Sequence, residues 1–110
     1  MLETIKSSTE ISYLFAHAKR CNTRSVTLLV YQNNEQHDRH GRVAFIAGKK
    51  NGNSVWRSSA KRRMRALAHD LGAPWQGYDV VFLAKKSILD EEYSKVLLAC
   101  QKLIRTFIEK

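Results

Sequence analysis

The side chains in this 110-residue chain whose types and spacing invite chemistry are cations. Arg57, Lys61, Arg62, Arg63 and Arg65 crowd into the run WRSSAKRRMR. No acidic residue lies between Asp38 and Asp70, an interval that also holds Arg39, Arg42, Lys49 and Lys50. The chain carries 19 Lys and Arg against 10 Asp and Glu, a formal net charge of +9. The nine cations of the central block account for that whole excess, and the rest of the chain is neutral. A concentrated patch of one sign is the footprint of a polyanionic partner. Arginine forks match phosphate oxygens, and lysine adds a point charge.

Catalytic chemistry finds little support. His17, His37, His40 and His69 lack metal-ligand spacing, apart from a loose His37/His40 pair in a polar stretch. The segment GKKNGN is neither a P-loop nor a dinucleotide-binding fingerprint. No carboxylate pair stands beside a nucleophile. If the chain takes part in an enzyme, the chemistry is expected to come from its partner. Cys21 and Cys100 have no CxxC spacing and read as free thiols of a reducing cytoplasm, with Cys100 on an apolar helical stripe. No apolar run approaches the roughly 20 residues that span a bilayer, and the N-terminus has no signal-type apolar core. A soluble cytoplasmic protein without a membrane partner is expected, folded as one domain over residues 1–110.

Local patterns place the elements that must hold these cations. Ser7 and Ser8 precede Ile11, Leu14, Phe15 and Ala18, the spacing of a short capped helix. Residues 25–31 (SVTLLVY) and 42–47 (RVAFIA) read as strands joined by a polar loop in an antiparallel, hairpin-like connection. After GKKNGN, Asn53 or Ser54 caps a helix that ends near Leu71, with Gly72 as its stop. Residues 78–84 (YDVVFLA) form a third strand. Asp90 is expected to cap a last helix whose stripe runs Tyr93, Val96, Leu97, Cys100, Leu103, Ile104, Phe107. The order is α-β-β-α-β-α, an α+β sandwich of one sheet with packed helices.

On the central helix, Trp56, Ala60, Met64, Leu67 and Leu71 fall within an arc of about 80°. Arg57, Lys61, Arg65 and Arg62 occupy the next 140° or so, and Arg63 sits at the edge of the apolar stripe, placed to snorkel. Solvated helices ordinarily mix charge signs at i,i+4, whereas this face has no acid. Its like charges repel by a few tenths of a kcal/mol per pair, which an external anion would offset.

The run GKKNGNSVWRSSAKRRMR resembles the signature of the bacterial ribonuclease P protein component. In that family a strand ends in Lys-Lys, a Gly-containing turn follows, and a helix opens with Arg-Asn-Arg-x-x-Lys-Arg-x-x-Arg. Lys49, Lys50, Gly52, Arg57, Lys61, Arg62 and Arg65 match at that spacing. The first helix, with Ile11 and Phe15, is similar to the family's first helix, Arg24 stands where the family has an Arg, and DVVFLAKK and the closing helix follow in order. Ser58 and Ser59 replace the family's Asn-Arg pair, and Ile11 stands where Phe is usual.

The resemblance implies a fold of the ribosomal protein S5 domain 2 type with a left-handed βαβ crossover, although right-handed crossovers are the strong default. It implies a protein subunit that binds the catalytic RNA through Lys49, Lys50, Arg57, Ser58, Lys61, Arg62 and Arg65. Ile11, Phe15 and Arg24 would hold the single-stranded 5′ leader of precursor tRNA. Mg2+ would be bound mainly by the partner RNA, with none held tightly by the protein. On spacing alone Ile11 and Phe15, one turn apart, read as core in preference to a binding face. Two other readings stay open: a ribosome-associated RNA-binding module of the same fold, and a DNA-binding helix. Base readout in a major groove favours Asn, Gln and Arg near a helix N-terminus. A face of Arg, Lys and Ser suits phosphate contact, so DNA is not the expected partner.

Overall fold

A computed structural model describes residues 3–32 and 40–109. Among these residues the chain forms strands β1 (Glu3–Thr4), β2 (Lys19–Asn22), β3 (Val26–Gln32), β4 (Arg42–Ile46) and β5 (Tyr78–Ala84), and helices α1 (Ser8–His17), α2 (Ser54–Leu71) and α3 (Tyr93–Phe107). Short 3-10 turns occupy Lys49–Asn51 and Lys86–Leu89.

The strands make one mixed sheet in the order β1-β4-β5-β3-β2. β5 runs parallel to β4 and antiparallel to β3. This corrects the hairpin expectation, because β3 and β4 do not pair and β5 lies between them. The central place suits β5, whose Val80, Val81 and Phe82 are buried with side chains on both faces. A strand apolar on both sides needs cover on both sides. The segment β4–α2–β5 is the parallel crossover of the fold. Two edge strands were not expected. β1 spans two residues, too few for an alternating signal, and β2 (KRCN) is polar at all but one position.

Period-two alternation sends side chains to two layers. Leu28, Val30, Val43, Val80 and Phe82 face α2 and α3, where Met64, Leu67, Val96, Cys100 and Ile104 complete the main core. Leu29, Ala44 and Val81 face the other way and pack with Ile5 and Leu14 under α1. The sheet is therefore sandwiched, an α+β architecture as expected.

Helix boundaries follow from capping. Ser7 accepts from the Glu10 amide, and Asn53 accepts from the Trp56 amide at 2.9 Å. Gly72 closes α2 at φ 91°, in the left-handed region open to glycine. The cap expected at Asp90 is not there. Asp90 ends the 3-10 turn Lys86–Leu89, and α3 begins after Glu92 without a side-chain cap. The extra turn absorbs the residues that the sequence pattern assigned to the helix start.

Candidate nucleic-acid interface

α2 buries Ala60, Met64, Leu67, Ala68 and Leu71 against the sheet and α3. The opposite side exposes Ser58, Lys61, Arg62 and Arg65. Lys49 and Lys50 are also exposed, in the turn that feeds this helix. The Asn51 side chain donates to the Ala84 carbonyl at 3.3 Å, which ties that turn to the end of β5. Gly52 has a separate reason. A Cβ there would lie 2.6 Å from Cγ of Trp56, so only glycine lets the indole pack where it does.

The cations of α2 divide by task. Arg63 turns inward, donating to the carbonyls of Leu89 and Glu91 at 3.5 and 3.0 Å, with its guanidinium 5.3 Å from the Tyr93 ring centre. Arg63 therefore joins α2 to the start of α3, and this corrects the snorkelling expectation, because the guanidinium is drawn inward to carbonyls instead of reaching water. Arg65 remains exposed with its guanidinium 5.7 Å from the Phe45 ring centre, a contact that fixes its direction. Arg57 is half-buried and its Nε has no partner. Among the described residues no carboxylate pairs with Lys49, Lys50, Lys61, Arg62 or Arg65. What remains is a row of solvated cations at one-turn spacing, ready for phosphates.

Ile11 and Phe15, on α1, lie across the sheet, whereas Arg24 is apart from them, beside α3. Leu14 anchors α1, Ile11 is half-buried beside it, and Phe15 is 42% exposed. Ile11 thus belongs largely to packing, while Phe15 offers a ring to solvent. Arg24, on the β2–β3 turn, has a side chain 73% exposed and 3.9 Å from Glu91. The sheet separates Ile11 and Phe15 from the α2 row, and Lys49 and Lys50 follow the end of β4.

Two features of this face escaped the sequence. The buried Arg42 donates to both oxygens of Asp79 at 3.3 and 3.0 Å and to Glu10 of α1 at 2.5 Å. Burial alone would lower the Arg42 pKa, but the hydrogen bonds it donates to Asp79 and Glu10 carry it above its ordinary value. A buried guanidinium stripped of a partner is strongly destabilising, so this network fixes how α1 sits on the sheet. The signal in the sequence was a cation opening one apolar strand and an acid near the start of another, and the sheet sets the two opposite each other. Tyr13 also stacks on His17 at 4.2 Å and meets Tyr31 edge-on at 5.6 Å, a contact between α1 and β3 that spacing within either element does not reveal.

Among the described residues no group of three or more His, Cys, Asp or Glu is placed to hold a metal ion. His40 is exposed, and His37 of the loose pair lies outside the described residues. No helix among the described residues is long and apolar enough to cross a membrane.

Residues 2–107 match the Ribonuclease P family. A ribonuclease P protein component from Natranaerobius thermophilus is 33% identical over 101 residues, covering 90% of this chain and 81% of that protein. One from Clostridium botulinum is 29% identical over 110 residues, covering 96% and 88%. Among solved structures, the ribonuclease P protein of Staphylococcus aureus superposes with a TM-score of 0.78 at 18% identity, covering 98% of each chain. That of Thermotoga maritima gives 0.76 at 17%, covering 96% of this chain and 97% of the other. At those identities the structural likeness speaks for the fold.

Proposed function

This chain belongs to the ribonuclease P protein family, and we propose on that premise that it binds the catalytic RNA of ribonuclease P and the 5′ leader of precursor tRNA. The observation that carries the proposal is the exposed row Ser58, Lys61, Arg62 and Arg65, with Lys49 and Lys50 in the turn before it and, among the described residues, no carboxylate to neutralise it. Helix and turn hold these groups on a rigid frame, and Arg57 extends the row. Such a surface neutralises phosphates and releases counterions, which favours RNA of any sequence. Phe15 supplies a ring for a leader base, Ile11 its apolar flank, and Arg24 a phosphate contact.

Hydrolysis of the phosphodiester is assigned to the RNA. Among the described residues no acidic cluster is placed to hold Mg2+, and Asp79 and Glu10 are engaged by Arg42. In this reading Mg2+ is held by the RNA subunit, and the protein's cations supplement the ionic atmosphere around it. The protein acts in the cytoplasm, without a membrane or DNA partner.

Reconstitution tests this. The purified protein alone leaves precursor tRNA intact. Added to the ribonuclease P RNA, it restores cleavage at Mg2+ concentrations too low for the RNA by itself. Cleavage by protein free of RNA, or no effect on the RNA's Mg2+ requirement, refutes the assignment.

A further inference from the structure

A groove between the β2–β3 turn and α3 has no part in the surfaces above except at one corner. It encloses about 380 Å³. Leu98, Ala99 and Leu103 line it together with Arg24, Lys95 and Lys102. Leu98 is 53% exposed, an unusual position for a large aliphatic side chain on a helix otherwise packed against a core. The charged residues lining the groove are all cations. Among the described residues no carboxylate pairs with Lys95 or Lys102. The nearest acid in the network is Glu91, 3.9 Å from Arg24, and it already accepts from the Ser25 hydroxyl at 2.6 Å. Lys95 and Lys102 lie seven positions apart on α3, a rise of about 10.5 Å. Their side chains share a face with Leu98, so two cations flank an apolar step.

We infer that this groove takes single-stranded RNA, namely leader nucleotides upstream of those held at α1. The inference rests on the leader reading given above. Continuity argues for this occupant. The resemblance puts Arg24 in the leader set and the structure puts it in the groove, while β2, which follows α1 directly in the chain, is the edge where the two sides of the sheet meet. β2 is the sheet's edge and only four residues long, with Lys19 and Arg20 exposed along it. A phosphate backbone leaving α1 thus meets a run of cations around a short edge. In the groove, bases pack on Leu98 and Leu103 while Lys95 and Lys102 take phosphates. An acidic peptide would match the charge but would have no reason to continue from α1.

The test uses holoenzyme reconstituted from full-length protein and ribonuclease P RNA. Two precursor tRNAs are compared, identical except that one leader stops at α1 and the other is long enough to round the β2 edge. The long leader binds more tightly, and its advantage falls faster with salt. Lys95→Ala with Lys102→Ala abolishes that advantage and reduces the long leader's log–log salt slope by about 1.4, two single-strand phosphate contacts. Leu98→Ser reduces the advantage and leaves the salt slope unchanged. Affinity for the short-leader precursor and for the RNA subunit stays as in the parent protein. Retained short-leader preference over mature tRNA, with long-leader binding indifferent to both variants, overturns this inference alone. Failure of the parent holoenzyme to distinguish short-leader precursor from mature tRNA overturns the leader reading and this inference with it. Oligoglutamate that cancels the long-leader advantage as well as oligouridylate of equal charge overturns the assignment to RNA.

Discussion

Phe15 and Leu14 are sequence neighbours with opposite fates, and the difference decides their roles. Leu14 is 3% exposed and holds α1 to the sheet, whereas Phe15 leaves much of its ring in water. A ring left exposed on a helix held by a buried ionic network is poised to receive a base without rearrangement. Phe15→Ala is therefore expected to leave the protein folded and bound to its RNA. The preference of the holoenzyme for precursor over mature tRNA falls by about 1–3 kcal/mol, the value of one stacked base. Circular dichroism and equilibrium binding check the two halves of that statement. A folded variant with undiminished preference places the leader site elsewhere. Ile11, half-buried where the family usually has Phe, adds apolar contact but no second ring.

At the scale of the element, α2 is one helix with two duties kept apart by its period. The apolar stripe ties it to the core, Arg63 ties it to α3, and the remaining side carries the exposed cations. Replacing Lys61, Arg62 and Arg65 together by Ala removes only exposed side chains, so the fold survives. Affinity for the RNA subunit drops, and each lost phosphate contact flattens the log–log salt slope by about 0.7–0.9. Replacing the exposed Lys86 and Arg105 is expected to change that slope far less. Equal losses from both sets would make binding a diffuse property of net charge. The Ser58 and Ser59 departures fit a helix that reads phosphates through its cations. Ser58 is exposed and retains a hydroxyl donor where the family has an amide.

For the whole molecule, the packing of α3 on the sheet sets an alkaline limit on stability. Burial, with a smaller contribution from Glu91, pushes the Cys100 thiol from 9.0 up to about 12. Burial and then the hydrogen bond to Asp70 push the Tyr93 phenol from 10.0 up to about 12. Both groups favour their protonated forms in the folded state. Their contribution is complete below the unfolded values and is lost as pH rises through the folded ones. Thermal stability is expected to decline between pH 9.0 and about 12, by up to about 1.4 kcal/mol per pH unit for each group titrating in the window. Cys100→Ala removes one of the two, so its decline is shallower than that of the parent whatever its starting stability. Parallel curves for the two proteins would show that the thiol takes no part.

Chain-local signals were legible in the sequence. The caps at Ser7 and Asn53, the stop at Gly72, the apolar stripe of α2 and the cationic face beside it all depend on residues within a turn or two of one another. The seven matched positions from Lys49 to Arg65 carried the family likeness for the same reason. The tertiary structure alone decided which strand sits in the middle, because pairing β5 between β3 and β4 joins residues far apart in sequence. It decided that the head of Arg63, which the helical period puts at the edge of the apolar stripe, turns inward onto the Leu89 and Glu91 carbonyls. It joined Glu10, Arg42 and Asp79 across α1, β4 and β5, and brought Arg24 beside Lys95 and Lys102. Spacing along a chain encodes the period of each element, but the meeting of elements depends on which apolar faces bury one another.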